Sequence, residues 1–238
     1  MTITEHIRKF ERHYAQSPKT TWLGNNPDYY AAKSYNDRNQ TIVEIAKWHC
    51  PSIILDVGCG TGDLMLLLKP YCNYVIGVEP THTNREITLS KGLTVRYGVA
   101  EALPKADQSV DMIVMADVIE HLYNPSLALV ETWRVLIPGG ILIITTPNKW
   151  AEWFWYLSST RLFKKDKVPD NLYTPKHLAT LVNTCHMKVI SHKLQECYPR
   201  STIGKWLLHQ SLPWSAFILK LMSRIRLLNY RQVVVLKK

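Results

Sequence analysis

The five cysteines of the 238-residue chain, Cys50, Cys59, Cys72, Cys185 and Cys197, form no CxxC pair and no Cys/His grouping with the spacing of a structural zinc site. Their odd number argues against a secreted disulfide framework, so a reducing cytoplasm is the expected compartment. Long apolar runs are missing as well. The most apolar stretch, Trp206 to Met222, is interrupted by His209, Gln210, Pro213 and Lys220 and falls short of the roughly 20 residues that cross a bilayer. The opening stretch MTITEHIRKFERHYAQ is charged throughout and has no apolar centre, which excludes reading it as a signal peptide. Acidic residues are scarce, 19 against 29 basic ones, for a formal net charge of +10. That surplus suits nucleic acid, anionic lipid or acidic metabolites and does not choose among them. Hydrophobic residues at 46% and charged residues at 20% are ordinary for a folded globular protein and exclude disordered, collagen-like and coiled-coil chains.

Short apolar runs alternate with helix-patterned segments, the pattern of βα units around a parallel sheet. After a Tyr-rich lead-in (Tyr14, Tyr29, Tyr30, Tyr35), a helix is expected from about Asp37 to Trp48. Strands follow at Ile53 to Val57, Tyr74 to Glu79, Thr94 to Tyr97, Val110 to Met115, Ile141 to Thr145, Lys188 to His192 and Gln232 to Leu236. Helices are read at about Asp63 to Lys69, Pro125 to Leu136 and Pro175 to Cys185. Two segments break the rhythm. Residues 148 to 173 are rich in aromatic side chains and lysine, and residues 197 to 230 contain no Asp or Glu. Both follow a strand and read as a lid or cap grafted on the sheet. If helical, residues 216 to 228 form a basic amphipathic stripe suited equally to a membrane interface and to burial against the domain.

The chemistry is concentrated at residues 53 to 64, IILDVGCGTGDL: a buried strand, an acidic residue near its end, then Gly58, Gly60 and Gly62 before a helix. Glycines at such a turn permit positive φ and close approach of the backbone to a ligand. The spacing is GxGxG; the dinucleotide fingerprint would need glycine at 63, where Asp63 stands. Glu79, 21 residues after Gly58, closes the next strand, where a carboxylate can accept ribose hydroxyls.

With the stretches ILDVGCGTGDL, VIGVEP, GVAEALP, SVDMIVMADVIEHLYNP and RVLIPGGILIITTPN in this order, the sequence resembles the class I S-adenosylmethionine-dependent methyltransferases. The resemblance covers residues 36 to 150, and more loosely 171 to 194. The VIEH and TPN stretches look most like the quinone-biosynthesis O-methyltransferases and related small-molecule enzymes. It implies a doubly wound α/β, Rossmann-like sheet of seven strands, the last antiparallel, in a single domain over residues 1–238. Residues 1–50 would be a helical lead-in, and 148–173 and 197–230 the cap. The implied cofactor is S-adenosyl-L-methionine. Gly58, Cys59 and Gly60 would face its amino-acid part, with Asp56 holding the loop. Glu79 would take the ribose and Pro80 flank the adenine. Ala100 and Glu101 would lie near that ring, and Asp117 and Val118 would form the pocket floor. Arg38 is a weaker candidate for the cofactor carboxylate, which suits a fork of donors.

Methyl transfer from a sulfonium needs an aligned nucleophile and excluded water, without a covalent enzyme intermediate. His121 is the expected catalytic base, since imidazole accepts a proton near pH 7. Asp117, Glu120 and His121 sit at i, i+3 and i+4 and would share a face if that turn is helical. In the quinone O-methyltransferases matching positions are associated with a divalent ion, yet capping and the helix dipole explain carboxylates at a helix start, and no metal is assigned. The expected activity is transfer to a small or lipid-like acceptor at oxygen, with peripheral membrane contact of the cap left open. A nucleic-acid methyltransferase is the rival that the charge favours. It is weakened because the chain lacks a [DN]PP[YF] pattern after the fourth strand and carries no RNA-binding module. A cofactor-binding scaffold without turnover is the third reading.

Overall fold

The computed structural model describes residues 29–151, 171–195 and 231–238, together with five positions among residues 2–8. Seven strands form one sheet in the order β3-β2-β1-β4-β5-β7-β6. They are β1 (Ile53–Val57), β2 (Tyr74–Val78), β3 (Thr94–Arg96), β4 (Val110–Ala116), β5 (Leu136–Pro147), β6 (Lys188–Gln195) and β7 (Arg231–Lys237). The pairings among β1 to β5 are parallel, and β7 runs antiparallel to both of its neighbours, β5 and β6. The helices are α1 (Tyr29–His49), α2 (Asp63–Leu68), α3 (His82–Ser90), α4 (Pro125–Val135) and α5 (Pro175–Val182).

The central strands are apolar at almost every position because helices cover both faces. Successive side chains point to opposite faces, and the core divides by that parity. Leu55, Val57, Ile113, Met115, Leu142, Ile144, Val234 and Leu236 pack with Ala128, Leu129 and Val135 of α4 and Leu178 and Val182 of α5. Ile54, Met112, Val114, Ile143 and Val235 pack with Ile42 and Ala46 of α1 and Leu64 and Leu68 of α2. Two helices start where the sequence marks a cap followed by proline. The Asn124 side chain accepts the Leu127 N–H at 3.1 Å before α4, and the Thr174 hydroxyl accepts that of His177 at 3.2 Å before α5.

Three elements differ from the sequence reading. Helix α3 was not foreseen, because HTNREITLS has little apolar periodicity and the side chain of its capping residue, Thr81, is spent on Glu79. β5 begins at Leu136 rather than Ile141. Pro138, Gly139 and Gly140 read as breakers, but the chain passes them in an irregularity where the register moves from Val110↔Leu136 to Met112↔Ile141. The turn after β4 is a short 3-10 helix, Ile119–His121, and Asp117 precedes it in the left-handed region at φ +58, so Asp117 does not share a helical face with Glu120 and His121. Of the two cap segments, residues 152–170 and 196–230 lie outside the described residues. The described ends of the first are drawn together, since Asn148 bridges Tyr173 and the Lys149 N–H donates to the Tyr173 carbonyl at 3.0 Å. Among the described residues no helix is long and apolar enough to cross a membrane.

Candidate active site

The glycine loop leaves β1 and folds over the end of β2. The Gly58 N–H donates to the Val78 carbonyl at 2.7 Å, and the Gly60 N–H donates to Glu79 Oε2 at 2.9 Å. Gly58 has φ +68, and a Cβ there would stand 2.6 Å from Cγ2 of Val118, so both backbone and neighbour require glycine. Gly60, at φ +55, is the opposite case: a Cβ would meet none of the described residues within 4 Å. Lys91 fixes the far side of the loop, donating to the Thr61 carbonyl at 2.7 Å and pairing with Asp63 at 2.6 Å.

Glu79 is buried and spans loop and strand. Its Oε1 accepts the Thr81 N–H at 3.0 Å and the Thr81 hydroxyl at 2.5 Å, with Asn84 Nδ2 at 3.5 Å. A carboxylate offers about four lone-pair positions, and Oε2 carries only the Gly60 bond among the described residues, so it can still accept from a ligand hydroxyl. Asp56, 2% exposed, has Oδ2 without a hydrogen-bond partner among the described residues. Burial pushes its carboxyl up to about 7, opposed by the Arg38 charge and reinforced by that of Glu79. An orphaned buried oxygen of this kind fits an ammonium group or a water. The Cys59 thiol is buried and pushed far above its usual range, which makes it inert packing rather than a nucleophile.

Around this cradle, Pro80 is half-buried and its carbonyl accepts from Arg85, whose guanidinium also lies 5.0 Å from the Tyr97 ring centroid. Ala100 is buried. Buried Glu101 turns its carboxylate to the backbone, accepting the N–H groups of Tyr123 and Asn124 at 3.0 and 3.1 Å and so bracing the start of α4. Buried Arg38 sends Nε and Nη2 to Asn39 Oδ1 at 3.0 and 2.8 Å, and Nη1 to Asp117 Oδ2 at 3.0 Å. These donors face the protein, in a different arrangement from an open fork awaiting a carboxylate.

The carboxyl ends of β4 and β5 and the amino end of β7 meet at Asp117. Arg231 grips it with two donors, Nε to Oδ1 at 3.2 Å and Nη2 to Oδ2 at 2.9 Å. The Thr145 hydroxyl donates to Oδ1 at 3.0 Å. Burial by itself would raise this carboxyl, but Arg231, Arg38 and Thr145 together hold it well below the usual carboxylate range. Three residues on, Glu120 is 1% exposed and pairs with no arginine among the described residues. It accepts the Thr146 hydroxyl at 2.9 Å, and burial, with the Asp117 charge adding to it, pushes it up to about 8. Tyr173 stands close by, its hydroxyl pushed up to about 12 by burial and by Glu120. His121 is half-buried at the end of the same turn, its N–H bonded to the Val118 carbonyl at 2.9 Å. Among the described residues no three His, Cys, Asp or Glu side chains are grouped to hold a metal.

The structure thus gathers Asp56, Gly58, Gly60, Glu79 and Val118 around one loop, while Glu101 and Arg38 turn to backbone and to protein side chains. Arg231, Thr145 and Thr81 were missed. Thr81, two residues beyond Glu79, carried a local signal; Arg231 and Thr145 reach Asp117 only through the sheet order.

This sheet order and strand-end glycine loop define the class I methyltransferase architecture. Residues 55–144 match the family described as "Methyltransferase domain". A ubiquinone biosynthesis O-methyltransferase of Maricaulis maris is 32% identical over 143 residues, covering 51% of this chain and 55% of that protein. Its namesake from Chelativorans sp. is 28% identical over 169 residues, covering 62% and 66%. The chain therefore spans between about half and two thirds of the length of these relatives. Among solved structures, the PH0226 protein from Pyrococcus horikoshii OT3 has the same fold, with a TM-score of 0.68 at 15% identity over 96% of this chain and 99% of that one. Over residues 55–144 the chain is thus similar to S-adenosylmethionine-dependent methyltransferases, and that likeness implies S-adenosyl-L-methionine as the cofactor. The residues present fit that group, for the Gly60 backbone, uncrowded by the described residues, and the orphaned Asp56 oxygen lie where an amino-acid moiety would need room and a polar partner.

Proposed function

We propose that this chain is an enzyme that transfers a methyl group to a small or lipid-like acceptor at oxygen. The observation that carries the reading is the cradle formed by Gly58, Gly60, Asp56 and Glu79. In it Asp56 would meet the cofactor's amino-acid part and Glu79 Oε2 a ribose hydroxyl. Pro80, Ala100 and Glu101 would flank the adenine, and Asp117 and Val118 would floor the pocket. Cys59 would line the loop through its backbone, and Arg38 would act on the pocket through Asp117. The bound cofactor supplies an electrophilic methyl on a sulfonium. This chain's work is then to hold an acceptor oxygen in line with it, exclude water and take the oxygen's proton.

His121 is assigned the base, because it ends the turn at the carboxyl edge of β4 and histidine is a side chain suited to accepting a proton. Oxygen is preferred as the atom methylated because the ubiquinone biosynthesis O-methyltransferases are similar over half of the chain. The single-domain organisation, with residues 148–173 and 197–230 as cap and 1–50 as lead-in, belongs to the same proposal. So do a cytoplasmic location and contact of the cap with a membrane surface.

A methyl-transfer screen with labelled cofactor against quinols, phenols, carboxylates and amines tests the reading. Turnover on an oxygen acceptor is expected, and turnover on amines alone, or none, defeats it. His121→Ala should lower turnover by roughly 10² while cofactor affinity holds. Activity removed by a chelator and restored by a divalent ion would replace the metal-free base with a metal site.

A further inference from the structure

We propose that Arg231, the first residue of β7, is a positioning residue for the cofactor pocket, acting through Asp117 and Val118 on the Gly58 loop. The proposal rests on the reading that this loop binds S-adenosylmethionine.

Asp117 sits where β4 gives way to the 3-10 turn, in the left-handed backbone region at φ +58. Aspartate is one of the few residues with a Cβ that visit that region, and its surroundings hold it there. Here three elements do so. Arg38 reaches in from α1 at 3.0 Å. Thr145 of β5 is used twice: its hydroxyl donates to Oδ1 at 3.0 Å and accepts the Asp117 N–H at 3.2 Å. Arg231 closes the arrangement with paired donors at 3.2 and 2.9 Å, the geometry in which a guanidinium fixes the orientation of a carboxylate as well as neutralising it. Arg231 is almost wholly buried, while Asp117 keeps about a quarter of its side chain exposed (24%).

What Asp117 fixes is the next residue. Val118 stands against the glycine loop so closely that a Cβ on Gly58 would lie 2.6 Å from its Cγ2 and 3.3 Å from its Cγ1. A shift of Asp117 carries Val118 with it and changes the floor on which the loop rests. Gly58 and Gly60 are anchored from the other side by Val78 and Glu79, so the loop is held between a β2 wall and a Val118 floor, and only the floor depends on β7. The last strand, inserted between β5 and β6, thereby reaches a site built mainly from the first two. In sequence, Arg231 is also the point at which residues 197–230 rejoin the sheet.

The test is binding of S-adenosylhomocysteine by titration calorimetry, with thermal unfolding of each variant beside it. Arg231→Met should weaken binding about tenfold or more in a chain that still unfolds cooperatively. Arg231→Lys, which keeps the charge and loses the paired donors, should fall between. Asp117→Asn should weaken binding, and adding Arg231→Met to it should cost far less than Arg231→Met costs alone, because the partner is already impaired. A purely structural role would lower the unfolding midpoint in every variant and leave affinity unchanged in those that fold; that outcome overturns the proposal. Should Arg231→Met not fold, unchanged affinity in Arg231→Lys overturns it equally, and failure of both to fold makes Arg231 a folding determinant and rejects the positioning role. No binding by the unsubstituted chain defeats the cofactor-site reading itself, a result distinct from all of these.

Discussion

The two ends of this site are built by opposite strategies. At the glycine loop the polar contacts given above come from nearby sequence: Thr81 reaches Glu79 across two residues, Gly60 reaches it across 19, and Lys91 reaches Thr61 across 30. At Asp117 the two arginines come from 79 and 114 residues away, Arg38 on α1 and Arg231 on β7, and only the fold brings them together. The local end leaves Glu79 with spare acceptor capacity and Asp56 with an oxygen that has no hydrogen-bond partner among the described residues. The distant end is saturated, with two arginines and a threonine on one carboxylate. In the proposed reading the first takes the ligand and the second holds it in shape.

The sharpest way to break the comparison is at Gly58. Valine there would need a left-handed backbone, which a β-branched residue resists, and would drive its Cβ into the Val118 methyl groups. Binding of S-adenosylhomocysteine should fall by about 100-fold or more, equivalent to about 3 kcal/mol, as measured by calorimetry. Affinity near that of the unsubstituted chain would place the cofactor elsewhere.

Glu79→Ala comes next. It leaves the Gly60 and Thr81 N–H groups without their acceptor in a buried setting, at a cost of about 1–3 kcal/mol for each group so stranded. Affinity should drop about tenfold or more and the unfolding midpoint should fall with it. Glu79→Gln, which keeps one acceptor oxygen, should recover part of both. If the alanine variant loses stability and keeps its affinity, Glu79 is a loop brace and the ribose is held by another group.

The same contrast explains what the sequence disclosed. All seven strands were legible, because β1, β4, β5 and β7 are apolar on both faces and read as uninterrupted runs. The glycine loop and Glu79 were legible because their chemistry lies within about 25 residues. Helix α3 was not, since its cap residue bonds Glu79 and its surface carries few apolar side chains. Arg231 and Thr145 were invisible for a different reason: nothing in RQVVVLKK says that this strand slots between β5 and β6 and lays its first side chain on Asp117. The environment of Glu120 was hidden in the same way. Its spacing to Asp117 and His121 was plain, but only the fold shows that arginines neutralise Asp117 and leave Glu120 buried without one among the described residues.

The pH dependence of stability isolates that difference between the two carboxyls. Glu120 is pushed up from 4.5 to about 8, so below its ordinary value both folded and unfolded chains carry the proton and the neutral buried carboxyl contributes its full stability. As pH rises from about 4.5 towards 8 the unfolded chain releases that proton first, and stability declines, by at most about 1.4 kcal/mol per pH unit for one proton. Asp56, raised from 3.8 to about 7, adds a decline of the same sign at somewhat lower pH. Asp117, held low by Arg231 and Arg38, works in the other direction: its contribution is complete above its ordinary value and fades only as acid protonates the folded chain. Glu120→Gln keeps an oxygen for the Thr146 hydroxyl and removes the titrating proton. Chemical denaturation from pH 5 to pH 8 should therefore show a shallower decline for the variant, with little difference at pH 5 and greater stability than the unsubstituted chain at pH 8. Parallel curves for the two proteins would mean that Glu120 is already ionised near neutral pH, and the distinction drawn between it and Asp117 would fail.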